Sequence, residues 1–378
     1  MTESSEPTPL DYAAAGVDTA AGDRAVELMK EAIGRTHNAT VLGATGGFAG
    51  LVDASALKTM TTPLLATSTD GVGTKIALAR ALDIHHTIGQ DLVAMVVDDL
   101  IVVGARPLLM TDYIACGKVI PTRIADIVRG IAQACEVVSC PLVGGETAEH
   151  PGVMEDDDYD IAGAATGVVD QPRLLGPQRV AAGDVVVAMA SSGLHSNGYS
   201  LVRAVRDRVG TALETHIDDF GRTLGEELLE PTRLYTQVCV DLLDEFGEGP
   251  DGIHALSHVT GGGLGANLSR VIPTGSVATV DRGSWVVPPV FDWVRRGGDV
   301  TWEGLEDSLN LGVGMVAVVG ESAAEKVIAR TRGAGIEAWV LGSIHEAGAA
   351  PIPQARLIQG AKGADGGAVA LHGSYRVN

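Results

Sequence analysis

Apolar positions in this chain alternate between two rhythms. Short runs of strand character lead into glycine-rich turns, and each turn opens a segment with helical spacing. The sharpest case is Pro63-Leu64-Leu65-Ala66, which enters Thr67-Ser68-Thr69-Asp70-Gly71-Val72-Gly73-Thr74-Lys75 and leaves through a helix-favouring run from Ile76 to Leu82. Upstream, Val26, Met29 and Ile33 fall at i, i+3 and i+7, predicting a helix with these three on its inner face. Asp91 to Ala105 reads as a largely buried helix. Leu108 to Ala115 reads as a strand, and Pro121 opens a helix that turns Ile124, Ile127, Val128 and Ile131 inward. Tyr159 to Val169 again has strand character. Gln171-Pro172 to Gly176-Pro177 then breaks the pattern, and the domain boundary is placed there.

The second half repeats the scheme. A buried strand from Asp184 to Ala190 runs into Ser191-Ser192-Gly193-Leu194-His195-Ser196-Asn197-Gly198-Tyr199-Ser200, and a helix is expected to begin near Leu228 to Tyr235. His258 to Leu268, with its triplet Gly261-Gly262-Gly263, is a third glycine loop entering a helix. A strand opens at Ser308 to Met315, a helix at Ala323 to Arg330 and a closing strand at Ala338 to Leu341. Beyond Gly348 no period persists, so the organisation reads as residues 1–172, residues 173–347 and a flexible tail, 348–378.

Length and composition narrow the class. The 378 residues suffice for roughly two domains of ~150 each. Acidic side chains outnumber basic ones by 48 to 27, for a net charge of −21, which argues against nucleic acid as a general partner. The cysteines Cys116, Cys135, Cys140 and Cys239 form no CxxC pair and read as free thiols. Met1 to Pro9 is polar and acidic, and no run approaches the ~20 apolar residues that span a bilayer, so a soluble cytoplasmic protein is expected. Glu155-Asp156-Asp157-Asp158 reads as a solvated acidic loop.

The chemistry concentrates at the turns. Gly71 and Gly73 let backbone N–H groups approach an anion at a helix start, and Lys75 adds a positive charge. Asp70 would repel a bare phosphate, a conflict that Mg²⁺ between them removes; ordinary turn chemistry is the plainer reading. Three aspartates, Asp91, Asp98 and Asp99, interrupt the apolar helix. Either one or more binds metal, or Asp91 caps the helix and Asp98 reaches solvent. Glu146, in Gly144-Gly145-Glu146, is a metal or ligand-amine candidate or a solvated carboxylate, and His195 is an acid–base candidate or a structural histidine.

Taken together these blocks resemble the phosphoribosylformylglycinamidine cyclo-ligase, or AIR synthetase, family. Those that carry the resemblance are Tyr12 with Ala15-Gly16-Val17-Asp18, Gly46-Gly47-Phe48, Asp70 to Lys75, Asp91 to Met95, Gly144 to Glu149, His195 to Ser200, Pro231-Thr232-Arg233, Thr260 to Leu264 and Asn310 to Met315. The resemblance implies a two-domain α/β fold with mixed sheets, the N-terminal domain pairing across a homodimer and the C-terminal domain forming an α/β sandwich. It further implies ATP and Mg²⁺ as cofactors, formylglycinamidine ribonucleotide as substrate and aminoimidazole ribonucleotide as product. Carried over by position, Asp70, Asp98 and Asp99 would hold Mg²⁺, and Lys30, Gly46, Gly47, Gly71, Gly73, Thr74 and Lys75 would lie near ATP. Glu146, His195, Ser196, Asn197, Thr260, Gly261, Gly262 and Gly263 would face the substrate, with Asp70, Lys75 and His195 as the catalytic set.

Three positions depart from the family pattern: Asp98 where an Asn is expected, Arg106 where an acid is usual, and Ser308-Leu309 in place of a Thr-Phe pair. Selenophosphate synthase, a relative in the same superfamily, would carry a reactive Cys in the glycine-rich stretch from Thr36 to Gly50, and none is there. The synthetase that makes formylglycinamidine ribonucleotide, another relative, has different glycine-rich blocks and usually a longer chain; a non-catalytic nucleotide-binding scaffold is the alternative of a different class, distinguished by ATP binding without consumption.

Overall fold

The computed structural model describes residues 18–43, 47–348, 354–360 and 366–377. Its first domain is built on a four-stranded mixed sheet of β1 (Pro63–Gly71), β2 (Arg106–Cys116), β3 (Leu142–Glu149) and β4 (Tyr159–Asp170), in the order β1-β4-β2-β3. One face is covered by helices. Of these, α1 (Thr19–Thr36) packs on α4 (Pro121–Val137), which packs on α3 (His86–Ile101); the short α2 (Ile76–Leu82) follows the turn after β1. The crossing of α3 and α4 is close because each helix offers a glycine: a Cβ on Gly89 would strike the backbone at Ile131, and one on Gly130 would strike the carbonyl of His86.

Twelve of the sixteen residues of α3 are buried, including Asp91 and Asp98. The helix earns its all-round apolar sequence by lying between the two domains, under β1 and β4 on one side and against α6 (Thr236–Phe246) on the other. The face expected for α1 is only partly right. Met29 and Ile33 are half-buried, but Ala25, Ala32 and Thr36 form the tightest line and Val26 is 48% exposed.

The second domain carries a seven-stranded sheet of β5 (Val185–Ala190), β6 (Ile253–His258), β7 (Ser276–Asp281), β8 (Val313–Val319), β9 (Ala338–Glu346), β10 (Arg356–Gln359) and β11 (Ala368–His372). Their order is β6-β8-β5-β9-β7-β11-β10. The helix expected from Leu228 instead starts at Thr236, so Pro231-Thr232-Arg233 is an irregular link between a short helix, Leu224–Leu228, and α6. The acidic loop is pinned rather than merely solvated, since Asp157 pairs with Arg123 at 2.7 Å and with Arg80, and Asp158 with Arg80.

The flexible tail is the largest correction. Residues 354–360 and 366–377 belong to the second domain, where β11 lies parallel to β7 and is almost wholly buried, with β10 on its outer edge. Its strand Ala368-Val369-Ala370-Leu371 is short, and flanking glycines hide its period. Only the sheet contact makes it a strand. The four cysteines are buried free thiols, as expected.

Gly130→Ala should destabilise the protein by about 1–3 kcal/mol through overpacking at the helix crossing, read from urea denaturation. His254 on β6 meets Asp184, just before β5, at 2.7 Å, and that hydrogen bond holds the imidazole above its ordinary value of 6.5 despite burial. The stability it contributes is therefore full below about 6.5 and fades as pH rises through the raised folded value. A pH series of denaturation curves should show that fall in the wild type and its absence in His254→Gln.

Candidate active site

The strand β1 ends at Asp70 and Gly71, and a single 3₁₀ turn, Gly73–Lys75, passes the chain into α2. Gly73 takes φ +71°, a left-handed conformation that lets the turn close, and it lies exposed beside Thr74. Across from it, the second domain presents the loop after β5, leading to α5 (Tyr199–Val209). The two loops meet where the Thr74 and Ser200 hydroxyls approach to 3.3 Å. Between the domains opens a cleft of about 570 Å³, lined by Asp70 to Thr74, Met95, Asp160 to Ala162 and Ser196 to Ser200. Asp70, Gly71, Gly73, Thr74, Ser196 and Asn197 are thus brought together as the sequence suggested. The glycine loop adjoins them: a Cβ on Gly261 would sit 3.1 Å from Asn197 Oδ1. Asn267 shapes that loop by donating to the carbonyls of Thr260 (3.0 Å) and Gly263 (2.8 Å).

Lys75 does something other than face phosphate. Its side chain is completely buried, and Nζ donates to Asp91 Oδ1 (2.9 Å), the His195 carbonyl (3.0 Å) and the Glu230 carbonyl (2.6 Å). Three acceptors match the three protons of an ammonium. Burial pulls its pKa down, and the Asp91 carboxylate is the main force pushing it back. The same Asp91 oxygen accepts from Thr232 N (2.7 Å) and Oγ1 (2.6 Å). Asp91 therefore does not cap α3; its Oδ1 joins α2, α3 and the Pro231-Thr232-Arg233 link into one knot, and its buried Oδ2 has no hydrogen-bond partner.

Asp98 is also taken. Wholly buried, it accepts from Tyr235 N (3.1 Å) and Thr236 Oγ1 (2.6 Å), capping the start of α6 from a neighbouring helix, and burial raises its pKa to about 6. It does not reach solvent, and its Oδ2 shares the Tyr235 N–H at 3.2 Å. Asp99 is 40% exposed and receives His258 Nδ1 at 2.9 Å. Among the described residues, no group of three or more His, Cys, Asp or Glu forms a metal cage.

His195 has φ +63° and is 1% exposed. Its Nε2 accepts from Ser192 N at 3.2 Å, so a neutral ring carries its hydrogen on Nδ1, which has no hydrogen-bond partner. Burial, then the charges of His258, Lys75 and Arg233, hold its pKa well below 6.5. A ring so buried is poorly suited to acid–base work in the cleft; its backbone, held by Lys75, is what sets the Ser196-Asn197 loop. Glu146 lies on the outer face of the first sheet beside Tyr113, outside the cleft lining, because β3 is the far edge strand. Lys30 is exposed on α1, also away from the cleft. Gly47 is exposed, while Gly46 lies outside the described residues. Arg233, not among the expected site residues, is half-buried near His195, and its Nε has no hydrogen-bond partner. Its place in the Pro231-Thr232-Arg233 block was the available signal.

Lys75→Met should lower stability by about 3–5 kcal/mol, because Asp91 is left buried without a cation. Adding Asp91→Asn, which keeps an acceptor for Thr232, should recover at least about 1 kcal/mol in a double-mutant cycle of urea denaturation.

Residues 52–169 match the family described as AIR synthase related protein, N-terminal domain, and residues 181–350 match its C-terminal domain. A phosphoribosylformylglycinamidine cyclo-ligase from Lachnospira eligens is 44% identical over 339 residues, covering 90% of this chain and 98% of the relative. One of the same name from Sorangium cellulosum is 46% identical over 346 residues, covering 91% and 98%. Solved structures share the fold at low identity. Thiamine-monophosphate kinase from Stenotrophomonas maltophilia superposes with a TM-score of 0.63 at 19% identity, over 92% of this chain and 96% of its own. The hydrogenase maturation protein HypE in complex with ATP gives 0.61 at 20% identity, over 94% and 95%. With both domains matched and relatives this similar along nearly its whole length, the chain belongs to the phosphoribosylformylglycinamidine cyclo-ligase family of AIR synthase-related enzymes of purine biosynthesis.

Proposed function

We propose that the interdomain cleft closes the imidazole ring of aminoimidazole ribonucleotide from formylglycinamidine ribonucleotide and ATP. The observation that carries this reading is the meeting of the Asp70–Thr74 turn and the Ser196–Ser200 loop around one cleft, a phosphate-cradling turn facing a polar loop from the other domain. An amide oxygen leaves poorly, so it first attacks the γ-phosphorus of ATP, forming a C–O–P linkage as the bond to ADP breaks. The amidine nitrogen then attacks the activated carbon, phosphate departs with the former amide oxygen, and a proton is lost to give the aromatic ring. Such a sequence needs positioning and charge neutralisation rather than a protein nucleophile.

The backbone N–H groups of the Gly71–Thr74 turn suit the ATP phosphates, and Ser196, Asn197 and the Thr260–Gly263 loop suit the substrate. Arg233 offers a guanidinium for its phosphate. Mg²⁺ fits Asp70, whose exposed carboxylate borders the cleft, with the partly exposed Asp99 as second donor; when bound it would neutralise phosphate charge. Asp98 is left out of that set.

A homodimer is supported by the outer face of the first sheet, which no helix among the described residues covers. Leu65 is 67% exposed and Tyr113 40% exposed there, amid threonines and alanines at Thr67, Thr69, Ala164 and Thr166. Among the described residues no helix is long and apolar enough to cross a membrane, and buried free thiols suit a cytoplasmic setting.

Asp70→Asn should abolish formation of aminoimidazole ribonucleotide while leaving the circular dichroism and melting temperature near wild type, because the side chain is exposed and asparagine keeps an oxygen to accept from Gly71 N. The assay follows imidazole product and phosphate together, expected one to one in the wild type. Normal turnover in the variant would remove Asp70 from the mechanism, and ATP hydrolysis without imidazole in the wild type would point to a different phosphoryl-transfer reaction.

A further inference from the structure

The family match ends at residue 350, yet the segment beyond it is stitched into the parts of the second domain nearest the cleft. The stitch is centred on Glu306, the last residue of α9 (Trp302–Glu306; α8 is Pro289–Gly298), whose carboxylate is 3% exposed. It receives Arg282 Nε at 2.6 Å and Nη2 at 3.1 Å, Arg356 Nη1 at 2.9 Å and Tyr375 Oη at 2.7 Å. Arg356 belongs to β10 and Tyr375 follows β11. Arg356 also reaches the Glu303 carbonyl at 2.9 Å and Asp307, just past the helix, at 2.6 Å, so it grips α9 at two points and its C-terminal cap at a third. The Tyr375 ring packs against Trp285 and Trp302, with centroids 5.5 and 5.0 Å away.

From this knot two contacts lead to the cleft. A Cβ on Gly263 would collide with the Glu306 carbonyl, so the glycine triplet rests directly on the braced residue. Three residues after Glu306, Leu309 packs against Gly198, and Asn310 Nδ2 donates to the carbonyls of Gly193 (2.9 Å) and Leu194 (3.2 Å), beneath the His195 loop. The tail touches the third loop's helix itself, because Ile358 on β10 fills the space that a side chain on Gly265 in α7 (Gly263–Leu268) would need.

We propose that the C-terminal segment is a positioning brace: Arg356 and Tyr375 act through Glu306 to set the Gly261–Gly263 and Ser196–Asn197 loops against the substrate. The proposal rests on the reading that these loops face the ribonucleotide, so its test separates the two. Full-length Arg356→Gln and Tyr375→Phe are assayed for kcat and for KM toward formylglycinamidine ribonucleotide and ATP, with melting temperature in parallel. Arg356→Lys is the conservative variant, and Gly262→Ala, at φ +97°, disturbs the loop directly.

The brace predicts that Arg356→Gln and Tyr375→Phe raise the ribonucleotide KM roughly fivefold or more while the ATP KM stays within about twofold, with Arg356→Lys in between. A lowered melting temperature with both KM values unchanged, or raised together, would reduce the segment to a strap for stability and overturn the proposal. If Gly262→Ala moves the ribonucleotide KM and the tail variants do not, the brace alone falls. If Gly262→Ala also leaves it unchanged, the loop reading and the brace fall together.

Discussion

The structure depends on one buried ion pair. Lys75 and Asp91 are both fully shielded from water, 2.9 Å apart; Lys75 Nζ also meets the carbonyls of His195 and Glu230, and Asp91 Oδ1 also accepts from Thr232, while Asp91 Oδ2 has no hydrogen-bond partner. A charge buried without such partners would be prohibitive, so the pair admits only the arrangement that brings α2, α3, the His195 loop and the Thr232 link to one point. The consequence is geometric. The turn bearing Asp70 and the loop bearing Asn197, from different domains, are fixed on either side of one cleft.

The same economy governs α3. Its apolar surface is buried on nearly every side, and its aspartates face the second domain: Asp91 toward Thr232, Asp98 toward the start of α6, Asp99 toward His258. Asp91 and Asp98 each supply the acceptor that an irregular link or a helix start lacks, and Asp99 pairs with the histidine that ends β6. The turns that border the cleft can therefore be short and carry exposed polar side chains, because the scaffold beneath them is held by charge and not by the turns themselves. The Asn expected at position 98 could cap α6 as well as Asp98 does, which explains how the departure is tolerated.

Much of this was legible in the chain. The strand–glycine–helix punctuation located the loops of the cleft, and Asp70 to Thr74 with Ser196 and Asn197 converge as the blocks implied. What misled was residue type read without depth. A lysine after Gly-x-Gly-Thr looks like a phosphate ligand, and aspartates in a helix look like metal ligands, but only the tertiary fold shows that Lys75 pairs with Asp91 and two backbone carbonyls, and that Asp98 accepts from the start of α6. The tail misled for the converse reason: Ala368 to Leu371 has no period of its own and becomes a strand only beside β7. His195 shows both effects, since its ring is buried while its backbone, in a left-handed conformation, accepts from Lys75.

The most direct test of the clamp is calorimetric titration of a non-hydrolysable ATP analogue, with Mg²⁺, into Lys75→Met/Asp91→Asn and wild type. If Lys75 is a scaffold cation, the refolded cleft keeps its phosphate-facing amides, and the dissociation constant should stay within about threefold. A loss of about 100-fold or more, near 2.7 kcal/mol, in a variant that remains folded would show that Lys75 leaves its buried site to bind phosphate, and would contradict the account.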